Sequence, residues 1–395
     1  MSLPRNRVSK AHSACVVWSF AVVAGLSGLV LPAASQGAEP PLVRVLLESG
    51  VDAVRVSAQR RKSLTISVRG ASLRVGGQPA GAVWESAGSG GSGGHRVSRA
   101  AGGRDWQVPG RVRVRNVDGR LLVIALVPLE AYVEGTVGRE MPSSWEPEAL
   151  RAQAIVSRTY ALRALREPKD PHYDVEATTA SQVYGGEVEV VESVLEAVRA
   201  TRGQYLTHGG TPILAAFHSA SGGRTAGAEE VWGLELPYLR SLEVEDEEQA
   251  PSTYWRAAVS RTTLRLALGR LGLDVGPLAR VEVTERWSSG RVKRVTITGP
   301  HGERGFSGRL LREALGPGVV KSTLFELRER GEDIVLVGSG HGHGVGMSQW
   351  GAKAMAGRGV DHREILAVFY PGATLESVAT TQTDAAPAVA SGREN

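Results

Sequence analysis

Glu140 lies between Arg139 and Met141-Pro142, where a helical run of apolar residues gives out, and a carboxyl in that setting suits general acid or base work. The negative end of a helix dipole disfavours ionisation of such a group, and Met141, Pro142 and Trp145 add apolar surroundings, while Arg139 opposes the shift. The plainer alternative is a solvated Glu at a helix end. Arg151 and Arg158, seven residues apart, project from one helical face, where guanidinium groups bind planar oxygens or form an exposed basic surface. Thr178 to Gly186 carries the amide of Gln182 and the ring of Tyr184. His218, Ser219 and Ser221 precede Gly222-Gly223, where glycine permits close approach of a ligand to the backbone. A Ser–His nucleophile pair is conceivable there, but no Gly-x-Ser-x-Gly elbow accompanies it. The stretch Gly340 to Ala352 interleaves five glycines with His341, His343 and Gln349; its His-x-His spacing also fits a metal, with His218 a third ligand.

The elements that must position these groups are legible in outline. From Val43 to Val127 short alternating bursts (Val43–Leu46, Val54–Val56, Leu64–Val68, Val112–Val117, Leu121–Val127) read as strands separated by Gly, Ser and Pro. Ala87 to Gly94 is a flexible Gly/Ser tract. At Pro128 the pattern changes, and Leu129, Tyr132, Val133 and Val137 predict a helix that stops near Glu140, because Pro142 disfavours helical geometry at Met141. A second helix is expected from Pro147 to about Arg166 and a third from about Val188 to Arg202, with later strands near Arg280–Thr284 and Val292–Thr298. The acidic run Glu243–Glu248 reads as a solvated loop, and residues 378–395 as a disordered tail. The fold class is α+β, a helical and strand-containing core (128–377) with a small β-rich N-terminal module (39–127).

Composition narrows the function classes. The 395 residues include 46 Lys and Arg against 41 Asp and Glu, with 42% hydrophobic residues, close to a globular average. Arg5, Arg7 and Lys10 precede an apolar run from Ala14 to Leu31, followed by Ala33, Ala34, Ser35 and Ala38, the pattern of a secretory signal over residues 1–38. Its removal leaves 43 basic against 41 acidic residues, too even for a nucleic-acid binder by bulk charge. Left uncleaved, the run is long enough to anchor the chain in a membrane, though Gly25, Ser27 and Gly28 weaken it. The one cysteine, Cys15, goes with the signal, and disulfides and thiolate metal sites go with it.

Taken together, Val137 to Ala161, Thr178 to Gly186, Phe217 to Gly233 and Gly340 to Ala352 resemble the SpoIID/LytB family, of sporulation stage II protein D and the amidase enhancer LytB. The resemblance spans roughly Pro128 to Gly372 and implies an exported, cell-envelope protein acting on peptidoglycan glycan strands. In sporulation members the implied activity is lytic transglycosylation of strands stripped of stem peptides, with Glu140 in the position of the catalytic Glu before Met-Pro. One carboxyl then serves as acid and base, whereas a hydrolysing glycosidase normally places two about 5–10 Å apart. The resemblance makes Arg151, Arg158, Gln182, Tyr184, His218, Ser219, Ser221, His341, His343 and Gln349 the expected wall of a sugar groove. Some members hold zinc through cysteines that this chain lacks outside its signal, so no metal or other cofactor is expected. Enhancer-type members imply a rival reading, a non-catalytic glycan binder that assists a cell-wall amidase.

Overall fold

The computed structural model describes residues 41–58, 63–87, 94–100, 102, 105–178, 181–182, 184–186 and 190–377. The signal, most of the Gly/Ser tract, Thr179, Ala180, Val183 and the tail lie outside the described residues. Eight helices are described: α1 (Leu129–Glu140), α2 (Pro147–Arg166), α3 (Glu192–Ala200), α4 (Ala228–Trp232), α5 (Arg261–Gly269), α6 (Gly308–Leu315), α7 (Gln349–Gly357) and α8 (His362–Phe369). With the sheets described below they make an α+β fold.

The alternating N-terminal bursts all fall in strands. A five-stranded sheet runs in the order Val175–Glu176, Leu42–Val51, Arg120–Pro128, Arg111–Val117, Val83–Glu85. A six-stranded sheet, from Gln78–Ala80 at one edge to Asp105–Val108 at the other, lies beside it in sequence. Period-two alternation puts Val43, Val45, Val112 and Val114 wholly inside, while Arg44, Arg111 and Arg113 face outward. Arg44 uses that outward position to hold Asp174 through an ion pair at 2.6 Å, which fastens the short strand Val175–Glu176 to the sheet edge.

Strand Arg120–Pro128 runs straight into α1, with Pro128 the residue immediately before the helix. Met141 is extended (φ −127°, ψ 144°), as its position before Pro142 requires, and α1 stops at Glu140 as expected. Pro147 opens α2, whose inward face buries Leu150, Ala154, Ser157 and Ala161 against α1, α3, α7 and α8. The third helix is shorter than the spacing suggested, Glu192–Ala200, because Val191 is already extended. One apolar core unites the inward valines of the strands with Tyr132, Val133 and Val137 of α1, Leu150 and Ile155 of α2 and Phe369 of α8.

A second core lies within residues 255–336. Two three-stranded antiparallel sheets form it, one ordered Trp255–Ser260, Asp333–Gly338, Phe325–Arg330 and one ordered Arg280–Arg286, Val292–Gly299, Gly302–Ser307. Helices α5 and α6 cover these sheets, and each is capped by a serine: Ser260 Oγ accepts from Thr263 N at 3.1 Å and Ser307 Oγ from Leu310 N at 3.1 Å.

Candidate functional site

Glu140 is the last residue of α1 and is half-buried. Its main-chain carbonyl is one of the acceptors a helix end leaves without an internal donor, and the Gln349 amide supplies the bond at 3.1 Å. Gln349 opens α7, so this contact joins the C-terminus of α1 to the N-terminus of α7. Gln153 of α2 accepts from the same amide at 3.4 Å. After Glu140 the chain turns through Trp145 N–H to Pro142 O, which lays the Trp145 indole edge-on against Trp350, with ring centroids 4.8 Å apart. Lys353 stands 5.5 Å from the Trp350 ring. Two indoles and a cation thus collect beside the Gln349 bond that joins the end of α1 to α7.

The two glycine-rich stretches that follow in sequence are laced together. Phe217–His218 pairs in parallel with Met347–Ser348, and Ala220 and His341 exchange main-chain bonds of 3.1 and 2.8 Å. Gly346, at φ +72°, permits the approach, since a Cβ there would sit 2.0 Å from Ala216 O. At the centre lies Glu247, read from sequence as part of a solvated loop and found instead 4% exposed. Its carboxylate accepts from Ser221 N (2.9 Å), Ser221 Oγ (2.6 Å), Gly222 N (2.8 Å), Gly223 N (3.1 Å) and the hydroxyl of Ser348. Ser348 in turn caps α7 by accepting from Gly351 N at 3.2 Å. A buried carboxylate is tolerated only with such saturation, and here it ties the His218–Gly223 loop to α7, whose Gln349 bonds the Glu140 carbonyl.

The imidazoles sit on the far side of this cradle. His218 is buried and donates from Nδ1 to Val345 O at 3.1 Å, while its Nε2 has no protein partner. His343 lies 5.7 Å away between ring centroids and accepts at Nδ1 from Val345 N–H at 3.0 Å. Burial, then the positive charge of Arg291 and Arg312, lowers the His343 pKa to about 4. Burial, then His343 and Arg291, holds His218 well below the usual imidazole range, and burial with Arg312 and Lys321 lowers His341. All three rings are therefore neutral at pH 7. Among the described residues, no group of three or more His, Cys, Asp or Glu side chains is placed to hold a metal ion.

Several expected groove residues are interior. Arg158 is 1% exposed, with Nε and Nη2 on the Glu130 carboxylate at 2.8 and 2.7 Å and Nη1 on Gln204 O at 3.0 Å. Arg151 belongs to a separate set: it pairs with Glu148, which accepts from His362 N and Nδ1 at 2.9 and 2.7 Å and so binds α2 to α8. The shared helical face is real, but the two guanidinium groups serve different helix contacts. Tyr184 is wholly buried, stacked on Tyr132 at 5.5 Å, and Gln182 Oε1 accepts the Tyr132 hydroxyl at 2.9 Å. Gly135 makes room for that ring, since a Cβ there would meet it at 2.8 Å. These two side chains wedge a loop onto α1 and present nothing to a groove. Ser221 is committed to Glu247, and Gln349 is the buried cap. Ser219, His341, His343 and Arg151 keep partial exposure, as does Glu140. Sequence reasoning missed Glu247, the Trp145–Trp350 pairing and Arg291, whose Nη2 donates to Ser221 O and Arg224 O at 2.9 and 3.1 Å.

Comparison with known proteins agrees with this distribution of motifs. The SpoIID family, described as stage II sporulation protein, matches residues 117–208, and a domain family of unknown function matches residues 228–346. Stage II sporulation protein D of Bacillus subtilis (strain 168) is 34% identical over 263 residues, covering 62% of this chain and 74% of the relative. That of Bacillus amyloliquefaciens is 33% identical over 265 residues, covering 62% and 73%. The amidase enhancer of B. subtilis (strain 168) is 31% identical over 297 residues, covering 62% of this chain and 40% of its own length. With about a third of its residues identical across nearly three quarters of stage II sporulation protein D, the chain belongs to the SpoIID family.

Proposed function

We propose that this protein is an exported lytic transglycosylase acting on peptidoglycan strands freed of stem peptides, with Glu140 as its single acid and base. The observation that carries the reading is the setting of Glu140: half-buried at the end of α1, tied to α7 by Gln349, and next in the chain to an indole pair suited to sugar faces. In the reaction the Glu140 carboxyl protonates the oxygen linking N-acetylmuramic acid to N-acetylglucosamine, and the bond from the anomeric carbon to that oxygen breaks. The carboxylate then takes the proton of the muramoyl 6-hydroxyl as that oxygen bonds to the same anomeric carbon. The product is a 1,6-anhydromuramoyl end, no water is consumed, and the acid is regenerated. A hydrolytic route needs a second available carboxylate. Glu247, the carboxylate at the centre of the cradle, already accepts from five donors and sits inside the protein.

The arginine-led apolar N-terminus supports export, and among the described residues no helix is long and apolar enough to cross a membrane. The likeness to an amidase enhancer favours a second reading, in which the same surface holds glycan and a partner amidase without cleaving. Incubation of the chain without residues 1–38 with amidase-treated peptidoglycan, followed by mass spectrometry of the muropeptides, separates the two. Anhydromuramoyl ends are expected, and Glu140→Gln abolishes them without a change in unfolding temperature. Absence of such ends, together with acceleration of an amidase, overturns the catalytic reading in favour of the second.

A further inference from the structure

A cleft of about 580 Å³ opens between α4 and the sheet unit that contains the second core, and its lining includes Trp232, Trp287, Arg291, Arg312, Glu230 and His343. None of the groups assigned to bond cleavage accounts for it. Arg291 is 1% exposed, yet only one of its nitrogens is used: Nη2 takes the carbonyls of Ser221 and Arg224, while Nε and Nη1 find no protein partner. Three of its five N–H donors are left over. Gly344 makes space for the guanidinium, since a Cβ there would lie 2.4 Å from Cζ. Two carboxylates are near enough to act on Arg291 through space, but neither pairs with it. Glu230 accepts from the Ser288 and Ser289 hydroxyls, and Glu247 from its own five donors. A buried cation with unpartnered donors in a cleft wall is costly unless an anion completes it.

We propose that this cleft binds a carboxylate borne on a sugar ring, with Arg291 as receptor of the carboxylate and the indoles of Trp232 and Trp287 as walls for the ring. Of the four cationic side chains that line it, Lys293 pairs with Glu285 and Arg309 with Glu313, so Arg291 and Arg312 against Glu230 leave one positive charge in excess, which suits a monoanion better than a dianionic phosphate. The inference rests on the peptidoglycan reading and deepens it. In a glycan strand the sugar-borne carboxylate is the lactyl group of a muramoyl residue, and it is ionised only where the stem peptide has been removed. The cleft would then select peptide-free strands by reading the group that peptide removal exposes.

Titration of the full chain by saturation-transfer NMR compares three probes: N-acetylmuramic acid, its lactyl carboxamide, and N-acetylmuramoyl dipeptide. The free acid is expected to bind at least tenfold more tightly than the amide and than the dipeptide. Arg291→Gln removes that preference, Arg291→Lys retains part of it, and Trp287→Leu weakens all three probes. The Trp287 variant, together with the wild-type comparison of acid and amide, carries the test if Arg291→Gln does not fold. Equal binding of acid and amide to the wild type, or a preference that survives in Arg291→Gln, overturns the proposal. Dipeptide binding equal to that of the acid assigns the ligand to stem-peptide carboxylates and overturns the lactyl form. Acid preference without anhydromuramoyl ends in the product assay leaves this site standing and removes the transglycosylase reading. Anhydromuramoyl ends without acid preference do the reverse.

Discussion

Glu247 offers the strictest test of how the site is held. Replacing it with alanine takes the carboxylate acceptor from five donors, the Ser221, Gly222 and Gly223 amides and the Ser221 and Ser348 hydroxyls, of which the Gly223 amide keeps Ser221 Oγ at 3.2 Å and the Ser348 hydroxyl a long contact to Ser219 O at 3.5 Å. The hydroxyls can rotate, and the Gly222 and Gly223 amides are partly reached by water. The Ser221 amide is enclosed and fixed and the Ser348 hydroxyl keeps only the long contact, and an enclosed donor left unmet costs about 1–3 kcal/mol. The lost packing of a buried side chain adds to this, so Glu247→Ala is expected to destabilise by about 3–5 kcal/mol. Glu247→Gln keeps the shape but puts an NH2 among donors, with an expected loss of about 1.5–3 kcal/mol. Exposed Glu248 is the control, and Glu248→Ala should stay within about 0.5 kcal/mol of the parent. Urea unfolding followed by tryptophan fluorescence reads all three. A double-mutant cycle with Ser348→Ala should show coupling of at least about 0.5 kcal/mol, since the two side chains share a bond. A Glu247→Ala variant as stable as the Glu248→Ala control would refute the claim that this carboxylate knots the two glycine-rich stretches together.

Arg158 and Arg151 should part company despite their shared helical face. Arg158→Met strands the Glu130 carboxylate and should cost about 3–5 kcal/mol in the same urea assay. Arg151→Ala, which breaks a partly exposed pair, should cost no more than about 1 kcal/mol. Stability should also fall as the pH drops through the imidazole range. His343 titrates near 4 in the folded chain against an ordinary 6.5, so between those values the unfolded state takes up a proton that the folded state refuses. Its stabilising contribution is complete above about pH 6.5 and is lost on the way down to about 4, roughly 3 kcal/mol in all, with His218 acting in the same direction. Urea midpoints measured from pH 7 to pH 5 should fall in the parent and fall less in His343→Phe; equal slopes would show that the ring is not held neutral.

What the sequence disclosed, and what it withheld, follows the range of the interactions. Prolines at 128, 142 and 147 punctuate α1 and α2 through local backbone sterics, so both helices end where the spacing says. Strand alternation is equally local, and the valines it places inward are inside. Asp361, which caps α8 by accepting from the Arg363 and Glu364 amides, was a readable helix start that the apolar spacing alone overlooks. Glu247 was not readable, because its partners lie 26 and 101 residues away and nothing near it distinguishes it from its acidic neighbours. The burial of Arg158 depends on Glu130, 28 residues earlier, and that of Tyr184 on the absence of a side chain at Gly135. The motif residues were found because their types are unusual; their division between lining and interior is a property of packing that no local pattern encodes.

That division bears on which group moves protons. His343 already accepts a main-chain N–H at Nδ1 and, lowered to about 4, is neutral at pH 7, so it is not the acid that protonates a leaving oxygen. His218 is fully enclosed, with its bare Nε2 turned away from solvent and its pKa driven down by burial. Ser221 and Ser348 donate their hydroxyls in hydrogen bonds to Glu247 rather than to an imidazole. Of the side chains first singled out for chemistry, Glu140 is the one carboxyl, and it is half-buried at the end of α1. On the proposed reading one such carboxyl suffices, because the substrate supplies its own nucleophile and no water has to be activated. The imidazoles and the second carboxylate then have a different task, that of holding the glycine-rich loops in place, and their substitution should lower stability and activity together. Glu140→Gln alone should lower activity and leave stability untouched.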